Sequence, residues 1–304
     1  RVSGKTMSIT PKAVFGCILI LCCLAPGCRK AENQSLQRTY VCTTPVTAMI
    51  VAEVVGTRGT VIDMLPPGAS PHTYEPRPSD IKTVQSADAF FSVAPNLDGW
   101  ASKLPAKQTR VLIDFVPGEM RLHGSHQHGE HSEDAGDVDP HFWTDPYTVR
   151  HMVPELVAFL SSVDLDGKKV YESNGAAFIK SLDELDKESA SALKSCRGAK
   201  VALFHPSVMY LLKRYGIEAP VILEPSPGQE PSARDMARMV KTMRDLKVKA
   251  IFSEPQLPAR PAEVLGEATG IPVSMLNPLG GGPDTSRYAD LIRANVKSLK
   301  EALQ

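Results

Sequence analysis

Residues 168–195, KKVYESNGAAFIKSLDELDKESASALKS, contain no proline and one glycine. Phe178, Leu182, Leu185 and Leu193 fall near one face at helical spacing, and Asp183 stands four residues before Lys187. The stretch predicts one long amphipathic helix with an i,i+4 ion pair. At ~1.5 Å per residue it would run ~42 Å, enough to lie along two lobes and tie them together. Two shorter helices broken near Gly175 are the alternative reading.

On either side of this stretch, short β-branched runs alternate with longer amphipathic ones, the rhythm of βα units around parallel sheets. Strands are expected at 40–43, 60–64, 89–93 and 110–113 before it, and at 200–204, 217–223, 250–253 and 272–275 after it. Helix starts are signalled by Thr44 before Pro45, Ser79 after Pro78, Asp145 before Pro146, and Ser232 followed three residues later by Asp235. The expected fold is α/β: two similar lobes, each a four-stranded mostly parallel sheet flanked by helices, joined by one long backbone helix. The boundaries read as 38–164 for the first lobe, 165–197 for the linking helix and 198–304 for the second lobe.

The chain has 304 residues, 34 basic and 34 acidic side chains, 42% hydrophobic and 22% charged residues, which excludes a disordered, collagenous or coiled-coil protein. With zero formal charge there is no cation excess to neutralise phosphates, so a nucleic-acid partner is not expected. Residues 1–28 read as a signal peptide: Lys12 precedes an apolar run from Ala13 to Ala25, about 13 residues against the ~20 a spanning helix needs. Leu24-Ala25-Pro26-Gly27-Cys28 resembles a bacterial lipobox, which would make Cys28 the lipidated residue and the membrane anchor; a plain cleavable signal is the alternative. Cys42 and Cys196 would then be the internal cysteines, able to pair in an exported protein, although spacing alone does not decide whether they do.

Four of the eight histidines, His123, His126, His128 and His131, fall in the polar loop 118–139, which also holds Glu130, Glu133, Asp134, Asp137 and Asp139. This segment is too polar to build a core. Its histidines read either as a weak, exchangeable zinc-capture site or as a polar insertion with no assigned task. His72, His141 and His205 instead stand beside prolines just after an expected strand or in a connecting loop, where open α/β sheets hold ligands. Imidazole favours a transition metal, zinc above all, and a carboxylate would close a tetrahedral shell. Asp284 after Gly280-Gly281-Gly282-Pro283 is the candidate, with a helix N-cap as its competing role and Glu224 and Glu254 as reserves. His151 reads as structural. Because the ligands bind only when neutral, capture is expected to weaken as pH falls through about 6.5.

These motifs together resemble the periplasmic metal-binding proteins of ABC importers that carry zinc and manganese. The resemblance runs from about Tyr40 to the C-terminus and rests on Gly68-Ala69-Ser70-Pro71-His72-Thr73-Tyr74-Glu75-Pro76, Asp139-Pro140-His141-Phe142-Trp143, Phe204-His205-Pro206 with Tyr210, Gln229-Glu230-Pro231-Ser232, Ile251-Phe252-Ser253-Glu254 and Asn277-Pro278-Leu279-Gly280. It implies a monomeric two-lobed receptor that binds one ion in the cleft and delivers it to a permease and its ATPase. His72, His141 and His205 match the family's first three ligand motifs, and histidine at the third, where manganese-type members commonly carry glutamate, matches the zinc type. Zn2+ is the expected cargo, with Mn2+ second. A zinc hydrolase is disfavoured because no His-Glu-x-x-His helix occurs, leaving Tyr74-Glu75 as the base on paper. A surface adhesin with a structural metal is the remaining rival.

Overall fold

The structure, a computed structural model, describes residues 37–124, 138–224 and 231–304. The expected signal segment with Cys28, and His126, His128 and His131, lie outside the described residues. Two four-stranded sheets organise the chain, and every strand pair in both is parallel. The first contains β1 (Arg38–Cys42), β2 (Gly59–Asp63), β3 (Ala89–Ser92) and β4 (Thr109–Val111) in the order β2-β1-β3-β4. The second contains β5 (Lys200–Leu203), β6 (Glu218–Ile222), β7 (Ala250–Ser253) and β8 (Val273–Met275) in the order β6-β5-β7-β8. Tyr40 sits in register with Val61 and Ala89; Ala202 sits in register with Val221 and Ile251. The inner strands β3 and β7 are buried at every residue, as the apolar runs Ala89–Ser92 and Ala250–Ser253 require between two helical layers.

The connecting helices are α1 (Pro45–Val55), α2 (Pro78–Ser86), α3 (Pro95–Asp98) and α4 (Pro146–Val163) in the first half, then α5 (Lys168–Ala192). In the second half come α6 (Met209–Tyr215), α7 (Ala233–Asp245), α8 (Arg260–Thr269) and α9 (Tyr288–Leu303). The caps follow the sequence signals. Asp145 accepts from the Tyr147 and Thr148 N–H groups at 3.0 and 3.2 Å ahead of Pro146. Ser232 and Asp235 form a reciprocal capping box. Only α2 starts earlier than expected, at Pro78 rather than Ser79, because Asp80 reaches back to the Arg77 N–H at 2.7 Å.

α5 is one helix of 25 residues, with Tyr171, Gly175, Phe178, Leu182, Leu185 and Ser189 buried along one stripe. It runs unbroken through Gly175, where the missing side chain lets α4 lie so close that a Cβ would overlap Val157 Cγ2. The helix ends at Ala192 rather than at 195, giving way to a 3-10 turn over Lys194–Cys196. Asp183 pairs not with Lys187 but with Arg150 of α4 at 2.6 Å. Asp186 takes Arg214 of α6 in a two-pronged bond at 2.6 and 2.9 Å, and Glu188 takes Arg293 of α9. The acidic face of α5 thus reaches elements from both halves. The halves also meet directly: Trp143 donates its indole N–H to the Pro278 carbonyl at 2.8 Å, and Tyr288 donates to the Trp143 carbonyl at 2.7 Å.

Cys42 and Cys196 are buried as separate free thiols, so the pairing that an exported protein would permit is not made. Among the described residues no helix is long and apolar enough to cross a membrane.

Candidate metal centre

The carboxyl ends of the strands of both sheets open on a shared cleft, and three connections carry imidazoles into it. His72 lies in the loop after β2. That loop is pinned from both ends: the Pro71 carbonyl accepts from the Trp100 indole at 2.9 Å, and Tyr74 stacks edgewise on Trp100 and donates to Asp80. His141 follows an Asx turn in which Asp139 Oδ1 accepts both the His141 backbone N–H at 2.9 Å and the ring Nδ1–H at 2.7 Å. His205 comes one residue after Phe204 at the end of β5, its Nδ1 facing the Glu224 carbonyl at 3.2 Å.

The three rings converge. Their centroids are 5.8 Å apart for His72–His141, and 5.2 Å for both His72–His205 and His141–His205. One ring nitrogen from each lies within 4.8 Å of the other two, so a point exists no more than about 2.8 Å from all three. The outward nitrogens are engaged: His141 by Asp139, His205 by Glu224, and His72 by the Asn96 backbone. Their Nδ1–H groups are therefore donors, and the Nε2 lone pairs turn inward. His72 Nε2 and His205 Nε2 are both buried with no hydrogen-bond partner, an arrangement that is costly without a cation and favourable with one. The rings surround a cavity of about 20 Å³, the room of a single water or ion. Ser70, Trp143, Glu254, Gln256 and Leu279 complete its wall.

Electrostatics favour the metal-binding form. Burial lowers His72 to about 4 and His205 to about 3, and repulsion from the neighbouring imidazoles acts in the same direction. Proton competition at these two ligands is therefore displaced well below the 6.5 expected from the sequence. Glu254 is raised to about 7, again chiefly by burial, although the Ser207 hydroxyl that donates to it and His141 pull the other way.

Of the residues singled out in the sequence, His72, His141 and His205 come together. Asp284 does not join them: it is exposed in a 3-10 turn over Pro283–Thr285 and lines no part of the cavity. Gly280 and Gly281, both at positive φ, turn the chain before it reaches Asp284. The carboxylate that reaches the cavity is Glu254, carried directly on the end of β7. Glu75 is exposed and absent from the cavity wall, so the base considered for a hydrolase is not there. His151 lies on the outer surface, bonded to the Tyr147 carbonyl. His123 bridges to Val138 at the neck of the loop.

Three supporting residues, two of them (Asp139 and Tyr210) inside motifs that carry the resemblance, are given no part in the site by the sequence alone. Asp139 reads in the sequence as one acid of a polar loop and as the first residue of the His141 motif, and its place two residues before His141 is the Asx-turn signal. Asn96 donates its side-chain amide to the Val138 carbonyl while its backbone holds His72. Tyr210, from α6, accepts from the Leu122 N–H at 2.8 Å and donates to the Asp139 carbonyl at 3.0 Å, clasping both sides of the loop neck from the opposite half. No local spacing announces these last two.

Comparison with known proteins agrees with this geometry. Residues 41–302 match the family described as zinc-uptake complex component A, periplasmic. Zinc-binding protein AdcA of Streptococcus pyogenes serotype M1 is 27% identical over 269 residues, 81% of this chain and 52% of that protein, so the chain spans about half the length of the AdcA relatives it matches. The high-affinity zinc uptake system protein ZnuA of Bacillus subtilis is 28% identical over 264 residues, 83% of each chain. A zinc(II)-bound mutant variant of AdcAII of Streptococcus pneumoniae is a structural neighbour at a TM-score of 0.76 and 28% identity, covering 88% of this chain and 99% of that one. With the match extending over both sheets and the helix between them, the chain belongs to the family of periplasmic zinc-uptake component A proteins.

Proposed function

We propose that the protein is an extracytoplasmic receptor that captures Zn2+ with His72, His141 and His205 and delivers it to the permease and ATPase of an ABC importer. The first two ligands belong to a lobe of residues 38–164 and the third to a lobe of residues 198–304, so the ion bridges the two. The observation that carries this reading is the convergence of three imidazoles from both halves, with His72 Nε2 and His205 Nε2 buried and without a hydrogen-bond partner. A shell of imidazoles without a carboxylate in the cluster is softer and less negative than a manganese site, which favours zinc. The cavity between the rings has the room of a single ion. Export, with lipidation at Cys28 as the anchor, fits delivery to a membrane transporter.

Isothermal titration of alanine variants tests the reading. Losing an outer-shell partner alone costs roughly 10- to 100-fold in metal affinity, so His72→Ala, His141→Ala and His205→Ala should each lose at least about 100-fold. His151→Ala should bind as the parent does. Unchanged tight zinc binding by His205→Ala refutes the proposal.

A further inference from the structure

A second cavity, of about 250 Å³ and open to solvent, lies between the two halves and shares no lining residue with the metal cavity. Met120 and Leu122 of the loop neck and Tyr147 of α4 form one wall, and Tyr210, Lys213 and Arg214 of α6 form the other. Its volume is a little under the ~300 Å³ at which sites for drug-sized molecules begin, so it suits a smaller ligand. Its charges define which one. The only carboxylate of its walls, Asp145, is already committed: Oδ1 accepts from the Tyr147 N–H at 3.0 Å, and Oδ2 accepts from the Thr148 N–H and hydroxyl at 3.2 and 2.8 Å. Arg214 spends Nε and Nη2 on Asp186 and lies 3.9 Å over the Tyr147 ring, which leaves Nη1 uncommitted. Lys213 has no ion-pair or hydrogen-bond partner among the described residues. The walls therefore hold N–H donors to spare and no spare carboxylate, beside the apolar side chains of Met120 and Leu122 and the Tyr147 ring.

We propose that this pocket binds a small carboxylate with an apolar body, and that its occupancy slows release of the metal. The carboxylate takes Lys213 and Arg214 Nη1, and the body lies along Met120, Leu122 and Tyr147. Coupling to the metal runs through Tyr210, whose side chain borders the pocket. Its hydroxyl accepts from the Leu122 N–H at 2.8 Å and donates to the Asp139 carbonyl at 3.0 Å, while Asp139 Oδ1 accepts from His141 Nδ1 at 2.7 Å. A ligand that touches both α6 and the loop neck binds only where those walls face each other, the arrangement in which His141 meets His205. It therefore favours the assembled metal site, and the metal favours the ligand by the same factor. The coupling rests on the three-histidine reading above, whereas binding of the carboxylate does not.

Benzoate, with benzamide as its uncharged counterpart, is the probe. In isothermal titration of the full chain, benzoate should bind at least about tenfold tighter than benzamide, the worth of a hydrogen bond to a charged group. Lys213→Gln, which alters only an exposed side chain, should lose most of that difference. Zinc release into excess chelator should slow about fivefold in saturating benzoate, and benzoate should bind the zinc-loaded protein about fivefold tighter than the metal-free protein. Tyr210→Phe should still bind benzoate, while its zinc release no longer responds to it. Circular dichroism of the metal-free variants checks their folding.

Equal binding of benzoate and benzamide, or undiminished benzoate binding by Lys213→Gln, overturns the site. Benzoate bound with the zinc release rate unchanged in the parent overturns the coupling, and release that still slows in Tyr210→Phe overturns that residue as the link. A parent chain that takes up benzoate but no zinc defeats the three-histidine reading and, with it, the coupling, and leaves the carboxylate site standing.

Discussion

Lowering the pH from 7.5 to 5.5 should cost this protein about a hundredfold less zinc affinity than a site of three ordinary histidines would lose. Metal binds only neutral imidazole, and a histidine titrating at the ordinary value of about 6.5 is about nine-tenths protonated at pH 5.5. Each such ligand would lose about tenfold, and three would lose about a thousandfold. Burial, reinforced by the neighbouring rings, lowers His72 to about 4 and His205 to about 3. Both therefore stay neutral in the metal-free protein at pH 5.5, and their combined share of the loss, about a hundredfold or about 2.7 kcal/mol, disappears.

The linkage has a second consequence. Because these folded values lie below the unfolded one, the unfolded chain takes up the protons first. The stability of the metal-free protein is then fully present above about 6.5 and declines as pH falls from there toward the lowered values. Competition against a zinc chelator of calibrated pH dependence, run from pH 7.5 to 5.5, measures the affinity. A fall approaching a thousandfold would refute the reasoning, since it would mean that all three rings titrate as if exposed.

Other substitutions probe the supports of the site and of the fold. Asp139→Asn keeps the shape of the turn and removes the charge that accepts from His141 Nδ1, so zinc affinity should fall roughly 10- to 100-fold in the same chelator assay. Tyr210→Phe deletes both hydroxyl bonds to the loop neck and should destabilise the metal-free protein by about 1–3 kcal/mol in urea denaturation; an unchanged midpoint would show that the clasp contributes nothing. Gly175→Ala drives a methyl into Val157 and should lose about 1–3 kcal/mol, whereas an ordinary helical glycine gains from the same change.

Much of this architecture was legible because βα alternation leaves a strong local imprint. Ala250–Ser253 was placed residue for residue, the other strands to within about two residues, and Asp145-Pro146 and Ser232 with Asp235 marked helix starts by capping chemistry alone. The three histidines were readable for a related reason: sheets of this type gather the loops at their carboxyl ends, so a histidine there is already near its fellows. What escaped depended on partners distant in sequence. The use of Gly175 is a close approach to Val157 of α4, and the partner of Asp183 is Arg150 of another helix rather than the lysine one turn on. Asp284 looked suitable because glycines precede it. Its exposure follows from the path those glycines give the chain, while Glu254 reaches the cavity simply by ending a central strand.

α5 is bonded to helices of both halves along an unbroken ladder, and such a ladder offers no soft joint. The halves are mounted on a stiff rod, not hung like jaws, so an ion held as proposed would enter and leave through small sliding and side-chain adjustments at the mouth. If the protein delivers its ion as proposed, a receiving transporter would have to recognise the filled form by the few groups at the rim and do the work of prying the ion free itself.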